Sequence, residues 1–278
     1  MTLNKRHKQI DIKGLIPAAG EAKRISPLPF SKELYPLGFT NLEKNNTPLK
    51  PKVACHYLLE KMIFAGVTNI YFVLRNGKWD IPAYLTRIRN SNMHIAYVVV
   101  DQTEGVPYTL DSAYNFVRNS IVLFGFPDII FSSRNAYKKL LSKQTEKSAD
   151  IVLGLFPVDQ PEKWDMVEFD QKEKINRILI KPLRSRLKYA WIIAVWTPVF
   201  TQFLHKYIDN IGKKSPATSN YRIERNKELF LGEAIFKAIK EKLRVEYIVF
   251  SNDTCLDIGT PSDLIKATRT EDRTTEDY

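Results

Sequence analysis

The chain has 278 residues, which at roughly 100–200 residues per domain means one large domain or two small ones. Hydrophobic residues make up 44% and aromatics 12%, enough for a packed core, so wholesale disorder is excluded. Lys and Arg number 42 against 31 Asp and Glu, and the resulting charge of +11 favours anionic partners: phosphorylated metabolites, nucleic acid or an acidic surface.

The first two thirds alternate short apolar strands with helical patterns. Residues 12–18 read as a strand entering a turn, 53–65 as a helix closed by Gly66, and 67–74 as a strand stopped by Asn76-Gly77. A strand follows at 95–100. Apolar residues then recur at Val106, Leu110, Ala113, Tyr114 and Val117, one face of a helix. Residues 121–126 read as a buried strand, 136–141 as a helix and 150–157 as a strand. Such alternation implies parallel pairing through right-handed crossovers. The expected class is α/β: a Rossmann-like, mixed, mainly parallel sheet flanked by helices.

After Pro157 the pattern changes. Strands are expected at 167–169, 175–180 and 189–196, helices at 199–208 and 229–240, a strand at 245–250 and a short helix at 261–267. This part reads as a β-rich C-terminal extension on the same sheet. The expected organisation is one domain over 1–267, with parts at about 10–157 and 158–267, and a polar tail at 268–278. Residues 212–227 read as a polar loop. The longest apolar run, 189–196, is far short of the roughly 18–20 residues of a membrane span, so no membrane association is expected. The first nine residues are polar and basic, and no secretory signal is expected. Cys55 and Cys255 form no disulfide framework or metal cluster, which suits a reduced, cytoplasmic compartment.

Four stretches carry chemistry. The first runs through Ala18-Ala19-Gly20-Glu21-Ala22-Lys23-Arg24 to Ser31-Lys32-Glu33-Leu34. Small side chains after a strand let backbone N–H groups cradle phosphates. Arg24 adds a planar fork and Lys32 a compact cation; an ordinary strand-to-helix turn with solvated charges has the same look. The second is Leu256-Asp257-Ile258-Gly259-Thr260-Pro261, where Asp257 either serves a ligand or braces the turn. The third is Gly125-Phe126-Pro127-Asp128, with Asp128 at the carboxyl edge of a buried strand, a ligand group or part of a Pro-Asp turn. Two such carboxylates can share one Mg²⁺ with substrate phosphates. The fourth is Lys181-Pro182, where a lysine closing a strand either holds a phosphate or faces solvent.

Together these stretches resemble the sugar-nucleotide pyrophosphorylases, a nucleotidyltransferase family, especially glucose-1-phosphate thymidylyltransferases and their uridylyltransferase relatives. The resemblance runs from about Lys13 to Ala267 and includes motif order. Lys50-Pro51 opens the next helix, Gly105 precedes the helix that lies near the base, and Phe169-Asp170 precedes Lys181-Pro182. The resemblance implies that Ala18, Ala19, Gly20, Glu21 and Gly105 bind nucleotide, that Arg24 and Lys32 are catalytic, that Lys181 binds the sugar phosphate and that Asp257 and Asp128 hold Mg²⁺. The sequence also departs from the pattern. Ala22 and Lys23 stand where a second glycine and a threonine are usual, two extra residues precede Asp128, and Ile180 replaces the glutamate before Lys-Pro. An isoleucine cannot hydrogen-bond a sugar hydroxyl, so relaxed sugar choice is expected.

The implied function is transfer of a nucleotidyl group from an NTP, dTTP or UTP, to a sugar 1-phosphate, giving NDP-sugar and pyrophosphate; a homo-oligomer is compatible with it. The alternative is a catalytically degenerate, nucleotide-binding regulatory homologue. His7, His56, His94 and His205 share no motif, consistent with chemistry that needs no protein nucleophile. Residues 172–188 carry seven basic residues against one acidic, but no nucleic-acid module accompanies them, and no nucleic-acid partner is expected.

Overall fold

Side chains along the central strands alternate between two apolar layers, as a period of two requires of a sheet covered on both faces. In β1 (Ile12–Ala18), Ile16 and Ala18 enter one buried cluster and Leu15 the other. In β6 (Ile121–Gly125), Leu123 joins the first cluster, and Val122 and Phe124 the second. The structure is a computed structural model that describes residues 10–40, 50–87, 93–213 and 228–270. The basic N-terminus, most of the polar stretch expected at 212–227 and the tail from 271 lie outside the described residues.

Between β1 and β6 come β2 (Pro36–Thr40), β3 (Lys50–Val53), α1 (Ala54–Phe64), β4 (Asn69–Arg75), α2 (Asp80–Leu85), β5 (His94–Val100), α3 (Val106–Asp111) and α4 (Tyr114–Val117). After β6 follow β7 (Ile129–Phe131), α5 (Ala136–Lys147), β8 (Ile151–Pro157), β9 (Asp165–Phe169), β10 (Ile175–Ile180) and β11 (Tyr189–Trp196). The described chain ends with α6 (Pro198–Lys213), α7 (Leu231–Lys240), β12 (Val245–Val249), β13 (Cys255–Asp257) and α8 (Pro261–Thr270).

Nine strands form one mixed sheet in the order β10-β9-β11-β6-β1-β4-β5, with β8 joined to β11 and β12 to β8. Strands β6, β1, β4 and β5 run parallel, and β11 lies antiparallel to β6 and β8. Helices α1 and α5 cover one face through Leu58, Met62 and Leu140. Helices α3, α6 and α7 cover the other through Leu110, Phe200, Leu204 and Ile235. The expected α/β sheet with a β-rich extension is therefore present, and the extension shares the sheet.

Several boundaries differ from expectation. Lys50 and Pro51 stand in β3, paired with β2, and the helix begins only at Ala54. Helix α6 reaches Lys213 and α8 reaches Thr270, past their expected ends. Helix α5 runs to Lys147, where Ser148 adopts a left-handed φ of 48° and ends it. Its later turns are polar, which weakens the apolar periodicity that marks a helix in sequence. Because β1, β4, β5 and β6 are parallel, the loops that follow them gather at one sheet edge, where open α/β sheets bind ligands.

Candidate active site

Two carboxylates meet at that edge. Strand β6 ends at Gly125, and two residues later Asp128 enters β7, which pairs antiparallel with β13. The ladder places Asp257 opposite Ile129, and the Ile258 N–H donates to the Asp128 carbonyl at 3.1 Å. The two extra residues before Asp128 therefore do not remove it from Asp257. Burial, then the like charge of Asp128, pushes the Asp257 carboxyl up from 3.8 to about 6, against the pull of Lys32 and Arg24. Burial also penalises the Asp128 charge, but the ammonium of Lys32 beside it wins and holds its carboxyl below the ordinary value.

Both expected cations converge on this pair. Lys32 donates to Asp128 through a short, largely buried ion pair. Desolvation works to lower the Lys32 pKa, but Asp128, Glu33 and Asp257 outweigh it and raise it, so the ammonium stays charged. Arg24 reaches Asp257 with Nη2 at 3.7 Å from Oδ2, while its side chain remains 61% exposed and open to a ligand. A methyl at Gly259 would lie 2.6 Å from that Nη2 and 2.8 Å from Asp257 Oδ2, so the Gly-Thr-Pro turn needs its glycine for this close approach. Lys23 turns away and pairs with Glu21 at 2.5 Å.

The surrounding loop is held by contacts that no local motif announces. Ala22, at the position where a second glycine is usual, takes a left-handed φ of 54°. Glu21, expected at the nucleotide, is engaged by Arg75 at 2.7 Å as well as by Lys23. The Lys23 hydrogen bond, opposed by desolvation and aided by Arg75, keeps its carboxyl below the ordinary value. Ala18 is buried at the end of β1, whereas Gly20 is exposed with open space where a side chain would be. Ser31 donates its N–H and hydroxyl to the Asp80 carboxylate at 2.6 and 2.8 Å. Glu33, buried, accepts from buried Lys78 at 2.7 Å. Lys32 sits between these two clamps. On the other side, Lys163 reaches both Asp263 oxygens at 2.7 and 2.9 Å and braces the turn after Asp257.

Two expected site residues stand apart from this cluster. Gly105 has a φ of +130°, and a Cβ there would collide with the Leu229 carbonyl, so backbone packing already accounts for this glycine. It follows β5 at the same sheet edge. Lys181, just past β10, has a left-handed φ of 39°, and its ammonium sits 4.4 Å from the Phe230 ring centre. Its N–H donates to Trp164 O at 3.1 Å. Trp164 lines a cavity of about 410 Å³ that also touches Asp257 and Lys163.

Asp128 and Asp257 fit a divalent ion: paired carboxylates that raise each other's cost of ionisation are relieved by a cation between them. Among the described residues no group of three or more His, Cys, Asp or Glu could hold a metal, so phosphates and water would complete the shell.

Two stability outcomes follow from this electrostatics. Removing the Lys78 ammonium strands the buried Glu33 carboxylate, so Lys78→Met should cost about 3–5 kcal/mol in urea unfolding. The double variant Lys78→Met/Glu33→Leu should recover most of that; equal instability of both would refute the pairing. For Asp257 the sign is opposite. Its carboxyl titrates at about 6 in the fold and near 3.8 unfolded, so its charge weakens the fold as pH rises through that window. With chelator present, Asp257→Asn should be more stable than the unaltered chain by about 2–3 kcal/mol near pH 8, and no more stable near pH 4.

Comparison with known proteins places this geometry in context. The family model described as nucleotidyl transferase matches residues 13–274. The bifunctional protein GlmU of Methanococcus maripaludis is 26% identical over 181 residues, covering 65% of this chain and 38% of that protein. A glucose-1-phosphate thymidylyltransferase of Xanthomonas campestris pv. campestris is 24% identical over 181 residues, covering 64% of this chain and 57% of its own length. The chain thus matches about half, or less, of these curated relatives. Among solved structures, one described as a glucose-1-phosphate thymidylyltransferase from Bacillus anthracis with sucrose superposes with a TM-score of 0.75 at 21% identity, covering 93% of this chain and 94% of that one. A UDP-glucose pyrophosphorylase complexed with UDP-glucose gives 0.73 at 18% identity, covering 94% and 98%. These structures share the fold, and the family match over nearly the whole sequence shows that the chain belongs to the nucleotidyl transferase family.

Proposed function

We propose that the chain transfers a nucleotidyl group from an NTP to a sugar 1-phosphate, releasing pyrophosphate and forming NDP-sugar. The observation that carries this reading is the convergence of Asp128, Asp257, Lys32 and Arg24 at the sheet edge beyond β1 and β6. A phosphate oxygen of the sugar 1-phosphate forms a bond to the α-phosphorus. The bond from that phosphorus to the bridging oxygen breaks, and pyrophosphate leaves with the electron pair. No protein nucleophile takes part, so the residues position groups and offset charge.

Arg24 binds the departing pyrophosphate, where negative charge accumulates. Lys32 holds the nucleotide phosphates, and backbone at Ala18, Ala19, Gly20 and Glu21 lines them. Gly105 lies toward the base and Lys181 takes the sugar phosphate. Asp257 and Asp128 hold Mg²⁺, which when bound neutralises charge on the phosphates. Relatives named for thymidylyl transfer and for UDP-glucose support a pyrimidine nucleotide, dTTP or UTP. Residues 1–267 act as one unit, with nucleotide and sugar-phosphate parts on one sheet. No helix among the described residues is long and apolar enough to cross a membrane, in keeping with small-molecule partners. A homo-oligomer in the cytoplasm is part of this reading.

The test is pyrophosphate release across nucleotides and sugar 1-phosphates with Mg²⁺. Turnover is expected with dTTP or UTP; binding without turnover across the panel would favour a regulatory homologue. Arg24→Ala should lower kcat by about 10²–10³-fold with a smaller change in KM, because its fork meets charge that develops only as the bond breaks. Arg24→Lys should restore it only partly. Lys23→Ala should be near neutral, since Lys23 is paired with Glu21. A crippled Lys23→Ala beside a healthy Arg24→Ala would reassign the catalytic cation.

A further inference from the structure

We infer that Asp165 and Trp191 form a two-point hydroxyl site that selects the sugar 1-phosphate. The inference rests on the proposed nucleotidyl transfer and names what chooses its acceptor. Residue 180 alone suggests relaxed choice, but the ladder shows what stands beside it. Strands β9 and β10 are antiparallel with Asp165 opposite Ile180. On the other side, β11 pairs with β9 through Ala190 and Met166, which brings Trp191 opposite Asp165 one step along.

Asp165 and Ile180 face the first turn of α7: a methyl at Gly232 would lie 2.6 Å from Asp165 Oδ2 and 2.8 Å from Ile180 Cδ1. The Gly232 backbone N–H hydrogen-bonds the Asp165 carboxylate. That leaves Asp165 Oδ1 closed to solvent and without a hydrogen-bond partner, and Trp191 Nε1 is in the same state. Burial, opposed chiefly by the Lys181 ammonium, pushes the Asp165 carboxyl up to about 6.

An orphan acceptor facing an orphan donor defines what fits between them. A carboxylate oxygen needs a donor, and an indole N–H needs an acceptor. A hydroxyl meets both needs: it gives its hydrogen to Asp165 Oδ1 and takes the one on Trp191 Nε1. A phosphate brings acceptors only and meets the carboxylate's charge, so it goes to the neighbouring Lys181. Lys181 follows Ile180 directly, and Trp164, next to Asp165, lines the cavity that reaches Asp257. One sugar 1-phosphate can therefore set its phosphate near Lys181 and a ring hydroxyl at Asp165 and Trp191. Sites that pair a substrate hydroxyl reject analogues lacking it far more strongly than apolar sites do.

The test compares kcat/KM for the preferred hexose 1-phosphate and its singly deoxygenated analogues. It uses the unaltered chain, Asp165→Asn, which keeps an acceptor for the Gly232 N–H, and Trp191→Phe. One deoxy analogue should be used about 10²-fold less well by the unaltered chain. Both variants should lose most of that discrimination by raising KM for the parent sugar, with KM for the nucleotide unchanged. If melting shows that one variant fails to fold, the other carries the comparison. Discrimination kept in the variants, as when the corner holds only a water, overturns the inference and leaves nucleotidyl transfer standing. So does a nucleotide KM that rises in step with the sugar's, the mark of a purely structural role. No NDP-sugar from any hexose 1-phosphate with the unaltered chain overturns both.

Discussion

The ribbon of β7 and β13 holds Asp128 and Asp257 side by side in a half-buried corner, and the cost of placing two negative charges there organises their surroundings. At an effective dielectric of about 20, two unit charges 4 Å apart interact by about 4 kcal/mol, comparable to a large part of a domain's stability. The fold meets that cost with cations from one loop. Lys32 compensates Asp128, and Arg24 partly compensates Asp257 from a more exposed position. The compensation is uneven: Asp128 is held ionised and Asp257 is pushed toward protonation. A site with this imbalance gains from a further positive charge, which is the electrostatic reason it suits a divalent ion and phosphates.

Charges can be held this close only if their carriers do not drift, and the supporting contacts come from distant parts of the chain. Asp80 and Lys78, in the turn after β4 and the start of α2, grip Ser31 and Glu33 on either side of Lys32. Arg75, at the end of β4, ties Glu21 in the small-residue loop. Lys163, between β8 and β9, fixes Asp263 and so the turn after Asp257. The sheet edge supplies the anchor points and the ion pairs set the loops on them. The short segment from Lys163 to Asp165 links the two halves: it braces the carboxylate turn at one end and carries the acceptor-side carboxylate at the other.

The long strands and most helices were legible because their apolar periodicity is local: β1, β10 and β11 stand where the pattern places them. The reactive residues were legible by motif, and Arg24, Lys32, Asp128 and Asp257 do converge. Other features left no such signal. Strands β7 and β13 have three residues each, too few for a period, and they pair across more than a hundred positions. Lys50-Pro51 read as a helix start because proline is common there, yet β2 recruits it into a ribbon. The Glu33–Lys78 pair joins residues 45 positions apart, and nothing in either neighbourhood announces the other. Asp165 in sequence is one more polar residue before a strand; only the register with Ile180 and Trp191 shows that it faces a closed corner.

The central claim is that Asp128 and Asp257 together bind a divalent ion in the presence of nucleotide. Mn²⁺ reports on this directly, because its electron paramagnetic resonance signal changes on leaving bulk water. Titration into the unaltered chain with dTTP or UTP should show one tight site per chain. Asp257→Asn and Asp128→Asn should each weaken it by tenfold or more while circular dichroism shows the fold retained. Equal Mn²⁺ affinity in the unaltered chain and both variants would contradict the account.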